Sequence, residues 1–498
     1  MPRNEVIYNE KTNAAWKKAF ALLNSNTHPG LNQQEEFLCQ RFQKEASLTE
    51  LERTSLINQL QYRYDQLRVK ESVKTRICDH CHMQCNAKHY CELCVRKHLR
   101  DNFGNWSSGN HRIDRLIQEC QQGVASPSHI VEWIDYKQLE DVSYLKEGGC
   151  STICTATRKD GCYYRWNNEA QTLERIGQQK VVLKKLHNSE NIGRDWFQEV
   201  KLQFTLSGIA GSLANCYGLT KDPQSKDYML VLYSYANDLR KHSVKNTSTK
   251  IWVQKCWMVL CLAGGLYEIH RKRVAHGGLH PGNILYNATV DSWVIGDMGF
   301  CGPKDKSPDS IYGDLPYIAP EVLCGEQRTF KSDIYSLGIL MWEIATAETP
   351  FVHMSYDNDL ALEIVNGIRP RICENIPKEY VRIMKRCWDA DPKNRPNALI
   401  VRNMFDELYV KLYKKSVRTR FLKPMKIGHL VKSTSKKKDE QDLPTTNHGP
   451  KMYRSQTRLY SFHNLPTPRN ATLKEQRAFD SRYETSISSV LASCRFNN

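Results

Sequence analysis

The sequence lacks both a long apolar run and an apolar signal core. Its longest candidate span, residues 257–266, is about half of the ~18 uninterrupted apolar residues that cross a membrane. The opening residues Met1–Val6 contain no apolar core, so we expect a chain that is not secreted and has no transmembrane segment. Glycine and proline are near their averages, at 26 and 19 of 498 residues, which excludes collagen-like and wholly disordered classes.

Acidic residues are missing from one stretch of the chain. Residues 411–438 contain eleven Lys or Arg and no Asp or Glu, and without these eleven the net charge falls from +17 to +6. The basic character is therefore local, and we do not expect the body of the protein to bind nucleic acid. Such a tract usually stays disordered. It predicts weak contact with anionic membranes, with a solvated solubilising tail as the alternative.

Cysteine, in contrast, is abundant, with 18 residues. Without a secretion signal, this number indicates a reducing compartment, the cytoplasm or the nucleus, and favours metal ligation or inert burial over disulfides. Nine residues separate two CxxC pairs, Cys78/Cys81 and Cys91/Cys94. Four thiolates at this spacing predict a structural Zn²⁺ site within a module at 77–112, with Cys85, His80, His82 and His89 as alternative ligands. We expect the variant Cys91→Ser to unfold this module and to leave ligand binding by the distant part of the chain nearly intact.

Helical periodicity characterises residues 1–76. Trp16, Ala19, Phe20 and Leu23 share one helical face. A second helix is predicted to begin at Ser47–Glu50, where the serine would cap the helix and the glutamate would reach back to it. This stretch therefore reads as a small helical packing module.

The motifs that carry chemistry lie in a region where strand-like and helix-like segments alternate. In chain order they are Val181-Val182-Leu183-Lys184, Glu199 in a helical pattern, His276-Gly277-Gly278-Leu279-His280-Pro281-Gly282-Asn283, Asp297-Met298-Gly299, Ala319-Pro320-Glu321, Ser332–Gly338 and Cys387–Pro396. Their order matters more than any one of them. Over residues 138–412 the sequence resembles the protein kinase family.

That resemblance implies an α+β, bilobal fold with a β-rich small lobe and a helical large lobe. The chain looks most like the tyrosine-kinase-like branch, and like a fungal group that places a Cys-pair zinc module before the kinase-like domain. The segment Tyr460–Pro468 is similar to a recurring element of that group, although we read 413–498 as a basic, largely disordered tail. By the same resemblance, Glu321 and Arg395 form a structural ion pair, and Asp333 anchors the catalytic loop.

The family roles also imply ATP and Mg²⁺ as cofactors. Lys184 would hold the α- and β-phosphates and pair with Glu199, while Asn283 and Asp297 would hold Mg²⁺. Leu232 would lie at the back of the adenine site, before the hinge at 233–235. For Leu232 and the hinge, ordinary strand packing is the alternative.

Two departures from the family pattern bear on activity. Gly278 stands where the catalytic Asp would accept the substrate proton, and a positioned base is worth ~10²–10⁴ in rate. In the phosphate-covering loop, Gly148 matches a family glycine and is followed by Gly149, but Lys146 and Ser151 take two other glycine positions. Nucleotide binding is therefore expected to be weakened rather than lost.

Three functions remain open at this point. The first is a kinase-fold signalling protein that binds Mg·ATP and protein partners but transfers phosphate poorly or not at all. The second is an active protein kinase in which Asp314, or less well His280, replaces the missing base. The third is a nucleic-acid binder built on the zinc module and basic tail, which ranks lowest. Residues 161–176 add a predicted β-hairpin around Asn167-Asn168, as decoration or as a docking surface.

Overall fold

Two regions of different secondary structure, a six-stranded sheet and a group of buried helices, make up most of the chain. The computed structural model describes residues 9–23, 27–147, 151–187, 189, 194–207, 213–246, 252–297, 311–421 and 457–482. The helices are α1 (Glu10–Leu22), α2 (Leu31–Gln43), α3 (Glu50–Lys70), α4 (Glu92–Asp101), α5 (His111–Gln122), α6 (Arg194–Ser207), α7 (Leu239–Asn246), α8 (Trp252–Arg271), α9 (Pro320–Leu323), α10 (Phe330–Thr346), α11 (Asn358–Val365), α12 (Lys378–Cys387), α13 (Ala398–Phe421) and α14 (473–482). The strands are β1 (Arg76–Ile77), β2 (Gln84–Cys85), β3 (Glu132–Trp133), β4 (Leu139–Glu147), β5 (Ser151–Arg158), β6 (Tyr163–Asn167), β7 (Thr172–Arg175), β8 (Gln179–Leu186), β9 (Cys216–Lys221), β10 (Tyr228–Tyr233), β11 (Asn237–Asp238), β12 (Ile284–Asn287), β13 (Ser292–Ile295), β14 (Ile311–Gly313) and β15 (Arg458–Tyr460). Within these ranges, none of the helices combines the length and apolar character that a membrane crossing needs.

The small lobe is built on a sheet with the strand order β3-β9-β10-β8-β5-β4. Its neighbouring strands are antiparallel except β3 and β9, which run parallel. Strand β8 lies inside the sheet, where Val181 and Leu183 are buried and the β-branched run favours extended backbone. This position delivers Lys184 to the cleft between the lobes.

The large lobe is helical and forms around α10. Every residue of α10 from Ser332 to Ala345 is buried, which suits a helix that is apolar on all sides. Helices α8, α12 and α13 contribute to the same core, and the lobe also contains the short sheet β11-β12-β13. Together the two lobes confirm the expected α+β, bilobal architecture.

The first three helices pack as the sequence periodicity predicts, with one correction at a helix start. Trp16 stacks on Phe42 with ring centroids 5.6 Å apart. Helix α3 begins at Glu50 rather than at Ser47, and Thr49 forms its capping box with Glu52. Both Ser-x-x-Glu and Thr-x-x-Glu occur in this overlap, and the second forms the box: the Thr49 N–H donates to the Glu52 carboxylate and the Glu52 N–H donates to the Thr49 hydroxyl.

The N-terminal region is not independent of the small lobe, which revises an expectation from the sequence. The predicted hairpin forms as β6 and β7, and its Trp166 and Leu173 belong to the same apolar cluster as the four CxxC cysteines. In addition, the buried Ile113 and Ile117 of α5 cluster with Val200 of α6. The cysteine cluster and α5 therefore contact the lobe that carries Lys184.

Part of the C-terminal tail departs from the predicted disorder. Residues 457–482 pack against the large lobe, where Tyr460 and Phe479 join the core cluster. Two buried aromatic side chains and a strand pairing provide the apolar contact that the polar composition concealed. The first part of the basic tract, 411–421, continues α13, and the rest of it, 422–438, lies outside the described residues.

Candidate functional site

A cavity of about 450 Å³ lies between the two lobes. It brings together residues from the small lobe, the catalytic-loop motif and the segment before Glu321. Its lining includes Lys146, Glu147, Ser151, Ile153, Lys184, Asp238, Arg240, Gly277, Gly278, His280, Asn283, Asp297, Tyr312, Gly313, Asp314, Tyr317, Arg328 and Thr457. The predicted site residues Lys184, Asn283, Asp297 and Asp314 thus share one cavity.

Lys184 and Asp297 form an ion pair across the cleft. Lys184 Nζ lies 2.7 Å from Asp297 Oδ1, and the carboxylate side chain keeps 45% of its surface exposed. Enclosure by the lobes disfavours ionisation, but the charge and hydrogen bond of Lys184 outweigh it and hold the pKa of Asp297 at about 2. Asp297 also has a φ of +41°, a left-handed conformation that a non-glycine residue adopts only when its surroundings hold it.

Four further predicted nucleotide-site residues are Gly148, Gly149, Glu199 and Leu232. Gly148 and Gly149 lie outside the described residues. Glu199 falls within α6, but its side chain is outside the described set, so its pairing with Lys184 stays a prediction. Leu232 lies on β10 opposite Val182 of β8 and is partly buried.

Helix α10 anchors the catalytic-loop motif through Asp333. Asp333 accepts hydrogen bonds from the backbone N–H groups of His276 and Gly277, at 2.8 and 2.9 Å. The imidazole of His276 is 3.0 Å from the carbonyl of Gly296, which ties the loop to the residue before Asp297. The expected anchoring role of Asp333 is confirmed by these contacts.

The amide of Asn283 closes this loop. Asn283 Nδ2 donates to the carbonyl of Gly278 at 2.9 Å. Because its nitrogen is engaged within the loop, the amide oxygen is the atom left to bind a cation. A carboxylate and an amide oxygen are the hard ligands that Mg²⁺ prefers, so Asp297 and Asn283 fit such an ion.

A cationic side chain, Arg240, lines the same cavity as Gly278. Arg240 Nη2 donates to Asp314 Oδ2 at 2.8 Å and lies 3.2 Å from His280 Nδ1. Burial, followed by the charge of Arg240, lowers the pKa of His280 to about 3, so its imidazole is neutral. This ion pair engages Asp314 Oδ2 with a cation rather than with a substrate hydroxyl.

Three cavity residues belong to no motif that the sequence reveals. Arg240 and Arg328 are single arginines outside any motif, yet Arg328 donates to the carbonyls of Gly277 and Tyr312. Thr457 belongs to the tail and reaches the cavity from the opposite end of the chain. These residues reach the site only through the tertiary fold, because they come from distant parts of the chain.

An ion pair supports the segment that follows the cavity. Arg395 Nη1 and Nη2 each donate to one carboxylate oxygen of Glu321, both at 2.7 Å, and the two side chains are buried. This two-pronged geometry is the strong form of a charged hydrogen bond. It confirms the pair that the family resemblance implied.

The four cysteines of the CxxC pairs form a separate cluster. Their sulfur atoms all lie within 4.8 Å of one another, with 3.8 Å between Cys78 and Cys94 and 3.7 Å between Cys81 and Cys91. Hairpin β1–β2 carries the first pair, and Cys91 caps the start of α4. Zn–S bonds of ~2.3 Å place the sulfurs of a tetrahedral site ~3.8 Å apart, so the cluster fits Zn²⁺.

Comparisons with known proteins agree with this geometry. Residues 145–405 match the family model described as protein tyrosine and serine/threonine kinase. The chain therefore belongs to this kinase family. It is 27% identical over 300 residues to roco5, a probable serine/threonine-protein kinase of Dictyostelium discoideum. This match covers 57% of this chain and 10% of that protein. It is 23% identical over 287 residues to mitogen-activated protein kinase kinase kinase 7 of Homo sapiens. This second match covers 55% of this chain and 43% of that protein. The chain thus spans between a tenth and less than half of these relatives.

Proposed function

We propose that this chain is a kinase-fold signalling protein that binds Mg·ATP in the interlobe cavity and transfers phosphate poorly or not at all. The Lys184–Asp297 pair carries the binding half of the proposal, at 2.7 Å in a cavity that also contains Asn283. Lys184 would hold the phosphates, and Asp297 and Asn283 would hold Mg²⁺, which neutralises phosphate charge when bound. Protein partners, rather than a small molecule, are the expected readers of the nucleotide state.

The catalytic half of the proposal rests on Gly278. Glycine has no side chain to accept a proton, and both candidate substitute bases are already engaged. His280 Nδ1 accepts a hydrogen bond from the Gly282 N–H at 3.1 Å, and Asp314 is paired with Arg240. A missing base removes ~10²–10⁴ in rate. Lys146 at the cavity further supports weakened nucleotide binding, since glycine would let the loop backbone approach the phosphates more closely.

An active kinase with Asp314 as substitute base is the second candidate. One observation favours it, because Asp314 lines the same cavity as Lys184 and Asp297. For Asp314 to act, its carboxylate would have to exchange Arg240 for the substrate hydroxyl. We therefore rank this candidate below the first, and nucleic-acid binding remains the lowest-ranked candidate.

The cysteine cluster adds a structural zinc to the proposal. All four sulfurs would be ligands, leaving no open position for catalysis. The cluster favours a reducing compartment such as the cytoplasm or nucleus, since thiols at this spacing require protection from oxidation. Weak contact of the basic tract at 411–438 with anionic membranes stays a prediction from its sequence.

Nucleotide binding can be tested with two adjacent lysines of β8. Lys184 faces the cavity, whereas Lys185 pairs with Asp222 at 2.9 Å. Titration with a fluorescent ATP analogue and Mg²⁺ should show binding by the parent and by Lys185→Met, and at least about tenfold weaker binding by Lys184→Met. Equal affinity of all three proteins, or no binding by the parent, would contradict the proposal.

A further inference from the structure

The short strand β14 pairs with one segment from the far end of the chain. Ile311 lies opposite Tyr460, Tyr312 opposite Leu459 and Gly313 opposite Arg458, in antiparallel register. Within the described residues these two strands form a sheet of their own. An edge strand of this kind is a template for another extended segment, because its backbone groups pair with any chain in register.

This pairing lies at the mouth of the candidate catalytic cavity. Tyr312, Gly313 and Asp314 line the cavity together with Lys184, and Thr457 from the tail lines it as well. The tail strand thus begins at the edge of the cavity that contains Lys184, Asn283 and Asp297.

The tail also contacts the large lobe through buried aromatic side chains and through side-chain amides. Tyr460 and Phe479 are 9% and 8% exposed. Gln476 uses its amide as a backbone would, accepting from the N–H of Arg369 at 3.1 Å and donating to the carbonyl of the same residue at 3.0 Å. Asn470 accepts from the N–H of Ala390 at 2.9 Å.

The tail backbone approaches the large lobe closely at Gly367, which follows α11. Gly367 has a φ of +94°, and a Cβ there would lie 2.1 Å from the backbone nitrogen of Ala471. Gly325 follows α9 with the same φ of +94°, but a Cβ there would have no atom within 4 Å. The two glycines therefore share the same backbone demand, and only Gly367 has tail backbone against it.

We propose that the face formed by β14 and Gly367 is a docking surface for an extended polypeptide with an aromatic residue opposite Ile311, and that residues 457–482 occupy it intramolecularly. A protein partner or substrate that binds this face must first displace the tail. Residues 422–456 connect the tail to α13, so docking of the tail is intramolecular and a partner has to compete with the effective concentration of the tail. The proposal does not depend on nucleotide binding.

The test uses the full chain with a tail weakened at three contacts, Tyr460→Ala, Asn470→Ala and Gln476→Ala together. Hydrogen exchange of the Ile311–Gly313 amides should become at least about tenfold faster in this tail variant, because their partner strand is released. A labelled peptide of residues 457–482 should then bind the tail variant and should bind the parent at least about tenfold more weakly.

Glycine variants supply the matched control. Added to the tail variant, Gly367→Ala should abolish peptide binding, and Gly325→Ala should leave it unchanged. Equal loss with both substitutions would overturn the proposal, since backbone strain alone would then explain the effect. Equal peptide affinity of the parent and the tail variant, or no binding to either, would overturn it as well. A parent that is dimeric in light scattering and loses Ile311–Gly313 protection on dilution would overturn the intramolecular assignment.

Discussion

Arg240 and Asp314 form an ion pair at 2.8 Å, and both residues line the cavity that also contains Gly278. The Asp314 side chain is completely buried, whereas that of Arg240 is 34% exposed. The pair therefore holds a cation in the same cavity as Gly278, the position where the family places a proton acceptor. This arrangement is the physical basis for proposing poor phosphate transfer in this cavity.

Removing Arg240 should be costly for stability. Arg240→Ala leaves the buried Asp314 carboxylate without its cation, and breaking a buried pair costs about 3–5 kcal/mol, at the lower end here because Arg240 is partly exposed. Urea unfolding would measure the loss, and Arg240→Ala with Asp314→Asn should recover part of it. The exposed pair Arg115–Glu119 provides the control, since Arg115→Ala should change stability by less than about 0.5 kcal/mol. Equal effects of Arg240→Ala and Arg115→Ala would show that the pair contributes little.

Zinc should support the small lobe as well as its own module. We expect about one zinc per chain by metal analysis, and loss of that zinc in Cys91→Ser. Because Trp166 of the inserted hairpin packs with the cysteine cluster, this variant should also lower the melting temperature of the small lobe and weaken nucleotide binding. Cys39→Ser, in α2, should retain the metal. A parent without zinc under non-chelating conditions would refute the site, and unchanged nucleotide affinity in Cys91→Ser would refute the coupling.

Helix α5 should influence the nucleotide site through α6. Ile117 and Ile344 are both fully buried, the first against α6 and the second in the large lobe. Replacing either with Ala should cost about 2–5 kcal/mol in unfolding experiments. We expect Ile117→Ala alone to weaken binding of the fluorescent nucleotide under conditions where both variants remain folded. The same nucleotide affinity in both variants would contradict this coupling.

A buried carboxyl group should make stability depend on pH. Burial raises the pKa of Glu343 to about 8, and the hydroxyl of Tyr317 donates to it at 2.6 Å. Since the folded state holds a proton that the unfolded state releases near pH 4.5, this contribution is complete below that pH and is lost as pH rises through about 8. The free energy of unfolding should fall between about pH 4.5 and pH 8, and less so in Glu343→Gln. The exposed residue Glu326 supplies the control, and Glu326→Gln should show the same fall as the parent. If Glu343→Gln also shows that fall, the assignment is contradicted.

Sequence patterns predict the parts of this molecule that follow from local rules or from ordered motifs. The bilobal fold, the cysteine cluster, the hairpin β6–β7 and the Glu321–Arg395 pair are all of this kind. The cap of α3 was misplaced because Ser47 and Thr49 offer overlapping patterns of nearly equal quality. The pairing of β14 with β15 could not be predicted, because each strand has three residues and they lie far apart in sequence. Arg240 was missed for a related reason, since its partner Asp314 comes from a distant segment.

The most direct test of the account measures Mg·ATP binding and phosphate transfer on one preparation of the full chain. The parent should bind nucleotide and transfer no measurable phosphate, and Gly278→Asp should gain transfer, by up to the ~10²–10⁴ that a positioned base contributes. Lys184→Met serves to detect contaminating kinase, because any transfer that survives it does not come from this cavity. A parent that transfers phosphate, and that loses this activity in both Asp314→Ala and Lys184→Met, would contradict the account and establish Asp314 as the base.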